Sequence, residues 1–312
     1  APMFIKYMIM TNSKKRKQEY IDYHIQMMSN GDTDPANSCL LYIANRFDIT
    51  LEQRFWLCFL YSTCYCGPTA YYMFNEFPDY ELIDLDRLEK WWKDNKHKLI
   101  FTTDRAWIRS RDQFVDIIRS YQKITGKSQI IKYESLKENN KQKTYQNCFK
   151  EFSKVYQMGR FTLFIYLDVI HHITGYPIEP DGIDLKYAES SRNGLCYAIG
   201  REDLITDKNN KKLNESDYVV LQNEFKKIYE RIYRIRPWDT NVWALETSMC
   251  AFKKYKKNNK RWIGYYIERQ KKDIVKMQNV VSEGVNWNVL WDYRKEYFPH
   301  KTLSEKAIYE LF

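Results

Sequence analysis

Apolar residues recur along this chain at intervals of three and four almost without a break, a spacing that fits helices and little else. Ile21, Ile25 and Met28 make one stripe; Leu40, Leu41, Ile43, Ala44 and Phe47 make another; Phe114, Ile117, Ile118 and Tyr121 make a third. The alternation expected of half-buried strands is confined to short pieces near 99–103 and 128–133. Boundary signals agree with the spacing. Asp34-Pro35 reads as an N-cap and first-turn proline. Thr50-Leu51-Glu52-Gln53 has the form of a capping box. Asp84 is placed to cap a helix carrying Leu85, Leu88, Trp91 and Trp92. From Phe55 to Tyr65 nearly every residue is apolar, which predicts a central buried helix ended at Gly67-Pro68. Further helices are expected over 145–158, 160–173, 216–234, 240–256, 262–282, 286–296 and 303–311. The expected class is mostly α. Polar stretches at 134–144 and 206–216 read as exposed loops. A basic segment and helix over 1–34 precedes a compact helical domain over 35–312, whose two lobes, if present, would divide near 134–144.

Composition narrows the partner. The 312 residues are 44% hydrophobic and 29% charged, with only 10 Gly and 8 Pro, which excludes collagen-like, linker-like and broadly disordered chains. Fifty Lys and Arg against forty Asp and Glu give a net charge of +10, and 26 Tyr, 16 Phe and 9 Trp accompany it. A basic, aromatic-rich chain suits an anionic partner that stacks, with nucleic acid the first candidate. The longest apolar run, Phe161 to Ile170, contains Thr162 and Asp168 and falls far short of the roughly 20 residues that span a bilayer, so no membrane partner is expected. An apolar patch precedes the first basic cluster, the reverse of a secretory leader. Seven cysteines without a framework spacing suit a reducing cytoplasm.

Several familiar sites are missing from the sequence. No C-x-x-C pair occurs and the adjacent His171 and His172 cannot share a helix face, so no structural metal is expected. Gly126-Lys127-Ser128 has the look of the end of a phosphate loop, but Tyr121 stands where that loop needs its first glycine. No G-x-G-x-x-G and no G-x-S-x-G is present.

Five segments carry candidate chemistry. In Tyr71-Tyr72-Met73-Phe74-Asn75-Glu76, an amide and a carboxylate sit among aromatics that could stack on a base and read its edge; a capping turn between core helices fits as well. In Asp104-Arg105-Ala106-Trp107-Ile108-Arg109, Arg105 and Arg109 would share a helix face and suit phosphate oxygens, against the plainer reading of a solvated helix start. Gly159-Arg160 opens an apolar helix, where backbone N–H groups and a guanidinium can meet an anion. Asp168 inside that helix calls for a partner such as Arg160 or Arg192. Arg192-Asn193-Gly194 suits a tight turn beside a phosphate, or a turn with no further role. Glu246 sits among apolar residues, a setting that raises a carboxylate pKa and prepares a general base, although a structural ion pair is as common there. Lys253, Lys254, Lys256, Lys257, Lys260 and Arg261 follow directly and can track a polyanion backbone, or form a solvated basic loop.

Taken in order, E-Q-R-F-W-L-x-F-L-Y (52–61), Y-Y-M-F-N-E-F-P-D-Y-E (71–81), T-T-D-R-x-W-x-R (102–109), M-G-R-F (158–161), S-S-R-N-G-L-C (190–196) and W-A-L-E-T-S-M-C (243–250) resemble the bacteriophage amino acid:DNA transferases, also called α-glutamyl/putrescinyl-thymine pyrophosphorylases. The resemblance extends over about residues 35–300. It implies a thymine-hypermodifying enzyme of the host cytoplasm, distantly DNA-glycosylase-like, with its catalytic domain at 35–312. Such an enzyme takes double-stranded DNA bearing pyrophosphorylated 5-hydroxymethyluracil and displaces pyrophosphate with the amine of a free amino acid or polyamine. That chemistry asks for a base, assigned to Glu246 or Asp104, and for anion binders, assigned to Arg105, Arg109, Arg160 and Arg192 with Asn193. Tyr71, Tyr72, Asn75, Glu76 and Trp107 would line the pocket of a flipped base. No cofactor is called for; the chemistry admits a divalent metal on the pyrophosphate. Two other readings are a glycosylase-like base-flipping enzyme and a non-enzymatic helical nucleic-acid-binding protein.

Overall fold

The computed structural model describes residues 2–206 and 212–298, with side chains from Ser13 onward except at 103 and 104. Its regular structure is helical, and no strand occurs among the described residues. In chain order the helices are α1 (Pro2–Ser29), α2 (Pro35–Arg46), α3 (Leu51–Cys64), α4 (Gly67–Glu76), α5 (Leu85–Asn95), α6 (Ile108–Arg111), α7 (Phe114–Thr125) and α8 (Gln129–Leu136). They continue as α9 (Lys141–Phe152), α10 (Arg160–Thr174), α11 (Glu189–Ile199), α12 (Glu215–Ile235), α13 (Val242–Asn258), α14 (Tyr265–Val280) and α15 (Asn288–Tyr297). The helix expected over 303–311 lies outside the described residues.

Two compact units result. The first joins 1–34 to 181–267 and the second joins 35–180 to 268–312, so the junction between Asp34 and Pro35 separates units while 134–144 lies inside the second. In the second unit every residue from Phe55 to Cys64 is buried, the central helix expected from its apolar run. Phe59 stacks on Tyr121 at 3.6 Å and Phe55 on Tyr133 at 4.2 Å. The Tyr166 hydroxyl meets those of Tyr121 at 2.8 Å and Tyr133 at 2.7 Å, which satisfies polar atoms that burial would otherwise strand. Thr50 and Gln53 form the capping box at the start of α3. Its end differs from expectation. Tyr65, in the left-handed conformation, terminates α3, and Gly67-Pro68 opens α4, where a first-turn proline costs no hydrogen bond.

The strand pieces and the first loop also need correction. Residues 128–133 open α8, because Ser128 caps Ile131 N–H and the Glu52 carboxylate accepts from the N–H groups of Gln129 and Ile130, both at 3.0 Å. Near 99–103 the chain runs extended for a few residues and then enters a 3₁₀ turn over Thr103–Trp107. The polar stretch at 134–144 shrinks to the short link between α8 and α9, where Asn140 caps the next helix through Lys143 N–H.

In the first unit α11 and α13 pack face to face, with α1 and α12 against them. A Cβ at Gly194 would stand 1.9 Å from the Met249 carbonyl oxygen, so only glycine admits this approach. Asn193-Gly194 is therefore mid-helix and not a turn: its glycine is there for a neighbouring backbone.

Candidate active site

The first unit gathers Glu246, Cys250, Lys253 and Lys254 along successive turns of α13. Ser190, at the start of α11, lies 3.0 Å from Cys250 Sγ. Glu246 and Cys250 are both half-buried. Burial and the Glu246 charge push the Cys250 thiol up, with Ser190, Lys254 and Lys253 opposing. That thiol stays protonated near neutral pH and is a poor nucleophile, which leaves Glu246 as the basic group of this face. The cationic run is not a loop as far as Asn258. Lys253, Lys254, Lys256 and Lys257 ride on the last turns of α13, where positive charge complements the helix dipole. Left-handed Asn259 ends the helix, Lys256 pairs with Glu19 at 2.7 Å, and Arg261 lies 3.8 Å over the Tyr265 ring. Between 226 and 261 there are eleven Lys and Arg against three Asp and Glu, so most of the +10 charge resides there.

Arg192 and Asn193 are committed within the same unit. Arg192, 5% exposed, donates Nη1 to the carbonyl of Leu185 at 2.8 Å and Nη2 to Thr206 Oγ1 at 2.9 Å. Asn193 is fully buried and accepts from Thr206 N–H at 3.5 Å. Behind Glu246, Ser248 Oγ sits 2.8 Å from both His24 Nδ1 and the Tyr20 hydroxyl. A serine beside a histidine resembles a nucleophile and its base, but all three residues are sealed from solvent, so the trio is structural. No sequence signal marks it, since Tyr20 and Ser248 lie far apart along the chain.

In the second unit Arg105 and Arg160 come to one corner. Arg105 is buried and donates Nη1 to the Gln157 carbonyl at 3.3 Å, three residues before Arg160 opens α10. The Arg160 guanidinium lies 5.7 Å from the Phe149 ring centroid. Thr102 anchors this segment to the corner after α3, donating its N–H to the Cys64 carbonyl at 3.1 Å and its hydroxyl to the Tyr65 carbonyl. Trp107 is half-buried, and Arg109 donates to the His97 carbonyl. The Asp104 side chain lies outside the described residues.

Tyr71, Tyr72, Asn75 and Glu76 belong elsewhere in that unit. The Tyr71 hydroxyl donates to the Asn286 carbonyl at 3.3 Å and Tyr72 to Asn95 Oδ1 at 3.1 Å, with both rings buried. Asn75 donates to the Gly284 carbonyl at 3.1 Å, and Glu76 pairs with Arg87 at 2.6 Å. These contacts knit α4 to its neighbours in the manner of a packed seam. Asp168 Oδ2 accepts from Asn37 Nδ2 at 3.3 Å, and His172 Nδ1 lies 3.0 Å from the Asp168 carbonyl oxygen and 2.9 Å from its Oδ1, while Arg192, one of the two arginines expected for it, is engaged at Leu185 and Thr206.

A half-buried carboxylate leads into a cationic helix end, and separately two arginines mark a corner of the second unit; cationic groups of this kind suit phosphate oxygens. Comparison with known proteins makes the class specific. The family model described as amino acid:DNA transferase matches residues 28–260, and the chain belongs to that family of transferases. A protein of Salmonella phage ViI named serinyltransferase is 26% identical over 283 residues, covering 82% of this chain. The aligned part is 66% of that relative, so the chain spans about two thirds of its length. No solved structure matches the chain. The resemblance read from six ordered segments and the mostly-α class both hold.

Proposed function

We propose that the protein joins the amine of an amino acid to 5-pyrophosphoryloxymethyluracil in phage DNA, in the cytoplasm of an infected host, and releases pyrophosphate. A carbon–nitrogen bond forms at the exocyclic methylene of the base as the carbon–oxygen bond to pyrophosphate breaks. The nitrogen loses a proton, and Glu246 is the group we assign to take it. The observation that carries this reading is the placement of Glu246 on the helix whose next turns present the cationic run. DNA phosphates drawn to Lys253, Lys254, Lys256, Lys257, Lys260 and Arg261 would pass beside that carboxylate. In the second unit Arg105 and Arg160, with Arg109 close by in sequence, are assigned to DNA phosphate oxygens, and Trp107 to stacking on a DNA base. Arg192 and Asn193 are assigned to holding the carboxylate's helix pair in place, and Tyr71, Tyr72, Asn75 and Glu76 to scaffolding. Asp104 is the alternative base. The name of the phage relative makes serine the first amine to try.

The test is incubation with DNA carrying the pyrophosphorylated base and labelled serine, glycine, glutamate or putrescine. A labelled nucleoside with one pyrophosphate released per adduct is expected. Abasic sites without labelled nucleoside would establish the glycosylase reading instead. Glu246→Gln should lower turnover about 10²- to 10⁴-fold while DNA affinity stays within about twofold. An equal loss with Asp104→Asn and none with Glu246→Gln would move the base to Asp104. Chelation during the same assay tests for a divalent metal on the pyrophosphate.

A further inference from the structure

The loop between α13 and α14 is short, strained and braced at each end. Asn259 and Arg261 both hold left-handed backbones, at φ 51° and 80°. Asparagine tolerates that region, whereas a long-chain residue such as arginine rarely enters it. Neighbours fix the loop in place. Lys260 donates its N–H to the Lys254 carbonyl at 3.2 Å, and the Tyr23 hydroxyl donates to the Arg261 carbonyl at 2.6 Å. Tyr265 N–H closes on the Trp262 carbonyl at 3.1 Å. Asp32, fully buried, accepts from Gly264 N–H at 2.7 Å and from Ile267 N–H at 3.0 Å.

Two side chains of this loop meet at one ring. The Arg261 guanidinium lies 3.8 Å over the Tyr265 ring, and the Trp262 ring stands edge-on to the same ring with centroids 5.2 Å apart. Among the described residues Arg261 Nε is buried without a hydrogen-bond acceptor, and no carboxylate pairs with its guanidinium. Trp262 is 52% exposed. A left-handed backbone and an unmet donor are costs, and the cation–π contact offsets only part of them. Folding alone gives little reason for an arginine there, because glycine accepts the same backbone without strain. What the loop gains is a guanidinium with no acid of its own, held flat beside an indole half open to water. Between 226 and 261 eleven cationic residues face three acidic ones, so the complementary charge has to come from outside.

We infer that Arg261, Tyr265 and Trp262 form a clamp for one unstacked nucleotide of DNA. Trp262 stacks on the base, Arg261 takes the adjoining phosphate, and Tyr265 fixes the guanidinium beside the indole. The lysines before the loop grip the backbone whatever the base does; the clamp responds to a base that has left its pair. The choice of DNA as the polymer rests on the proposed transfer reaction, and the clamp itself rests on the loop. Its bracing bonds are made within the protein, so little order has to be gained on binding.

Equilibrium binding without an amino acid tests the clamp apart from turnover. Two probes are used, a fully paired duplex and the same duplex with one unpaired thymine. The wild type is expected to bind the second at least about fivefold tighter, with quenching of tryptophan emission. Trp262→Ala should abolish that preference and leave affinity for the paired duplex within about twofold. Trp262→Phe should keep the preference and lose most of the quenching that the unpaired thymine adds, a change that an indole serving only to pack would not produce. Arg261→Lys keeps the charge without the flat stack on Tyr265. Its slope of log affinity against log salt should hold, while the unpaired-thymine duplex weakens about threefold or more. The inference is overturned if the wild type shows no preference, if Trp262→Ala retains it, or if Trp262→Phe is quenched as the wild type is. Wild-type binding of both probes by Arg261→Lys also overturns it. A preference lost with Trp107→Ala and kept with Trp262→Ala would place the base on Trp107 instead. An intact preference without transfer activity would count against the proposed reaction alone.

Discussion

Gly194 shows how much one residue can constrain the first unit. A methyl group there meets the Met249 carbonyl at 1.9 Å, and both atoms belong to helices that cannot yield locally. Gly194→Ala should destabilise the protein by about 3 kcal/mol or more, read as a fall in melting temperature and urea midpoint. His24 makes a second residue-scale prediction. Burial lowers its pKa from 6.5 to about 4, with Asp239 opposing and Arg236 assisting. The folded state thus withholds a proton that the unfolded chain takes up below about pH 6.5. Stability present at neutral pH is lost as pH falls from 6.5 to about 4, by roughly 3 kcal/mol in all. Melting curves of wild type and His24→Gln across that window should diverge, with the variant flatter. Neither residue was legible in the sequence for this role. Asn-Gly carries a strong local turn signal, and the demand that overrides it comes from Met249, distant in the chain. His24 sits on a helix whose stripe was visible, yet its contact with Ser248 is a tertiary fact.

At the scale of elements, local chemistry was the dependable guide. Thr50 with Gln53 and Asp84 mark helix starts because each acts within three residues of itself. The errors fall where a partner lies far off. Residues 128–133 read as a strand piece because Glu52, which closes the N-terminus of α8, is remote in sequence. Glu52→Gln should cost about 1–2 kcal/mol and fray α8, seen as faster amide exchange over 129–133. The same geometry explains why Gly126-Lys127-Ser128 has the look of a phosphate turn: the backbone there does present N–H groups to an anion, and a carboxylate of the protein occupies them. The end of α13 gives a further prediction. Lys257→Gln and Lys260→Gln should each reduce the slope of log affinity against log salt by about one on duplex DNA, weakening all sequences alike.

On the scale of the whole molecule, the sequence showed helices and charge but not how the chain returns on itself. Residues 1–34 read as a basic segment and helix preceding the domain, whereas α1 supplies Tyr20, Ile21, Tyr23 and Met27 to the core of a unit completed by 181–267. Tyr20 packs edge-on against Phe252 at 5.3 Å and Tyr23 stacks on Tyr255 at 5.1 Å. Removing 1–34 should therefore give a protein with reduced helicity and strong binding of a hydrophobic dye, where loss of a mere arm would leave the circular dichroism of 35–312 intact. The apolar stripe on α1 was legible; its partners were not, because periodicity reports that a face is buried and never against what. The interruption has a consequence for synthesis. Translation proceeds at about 5–20 residues per second, so α1 leaves the ribosome on the order of ten seconds before α11 to α13 exist to receive it. During that interval its tyrosines and Met27 face solvent while the second unit grows, so α1 is the last helix to find its place and the one a chaperone would hold.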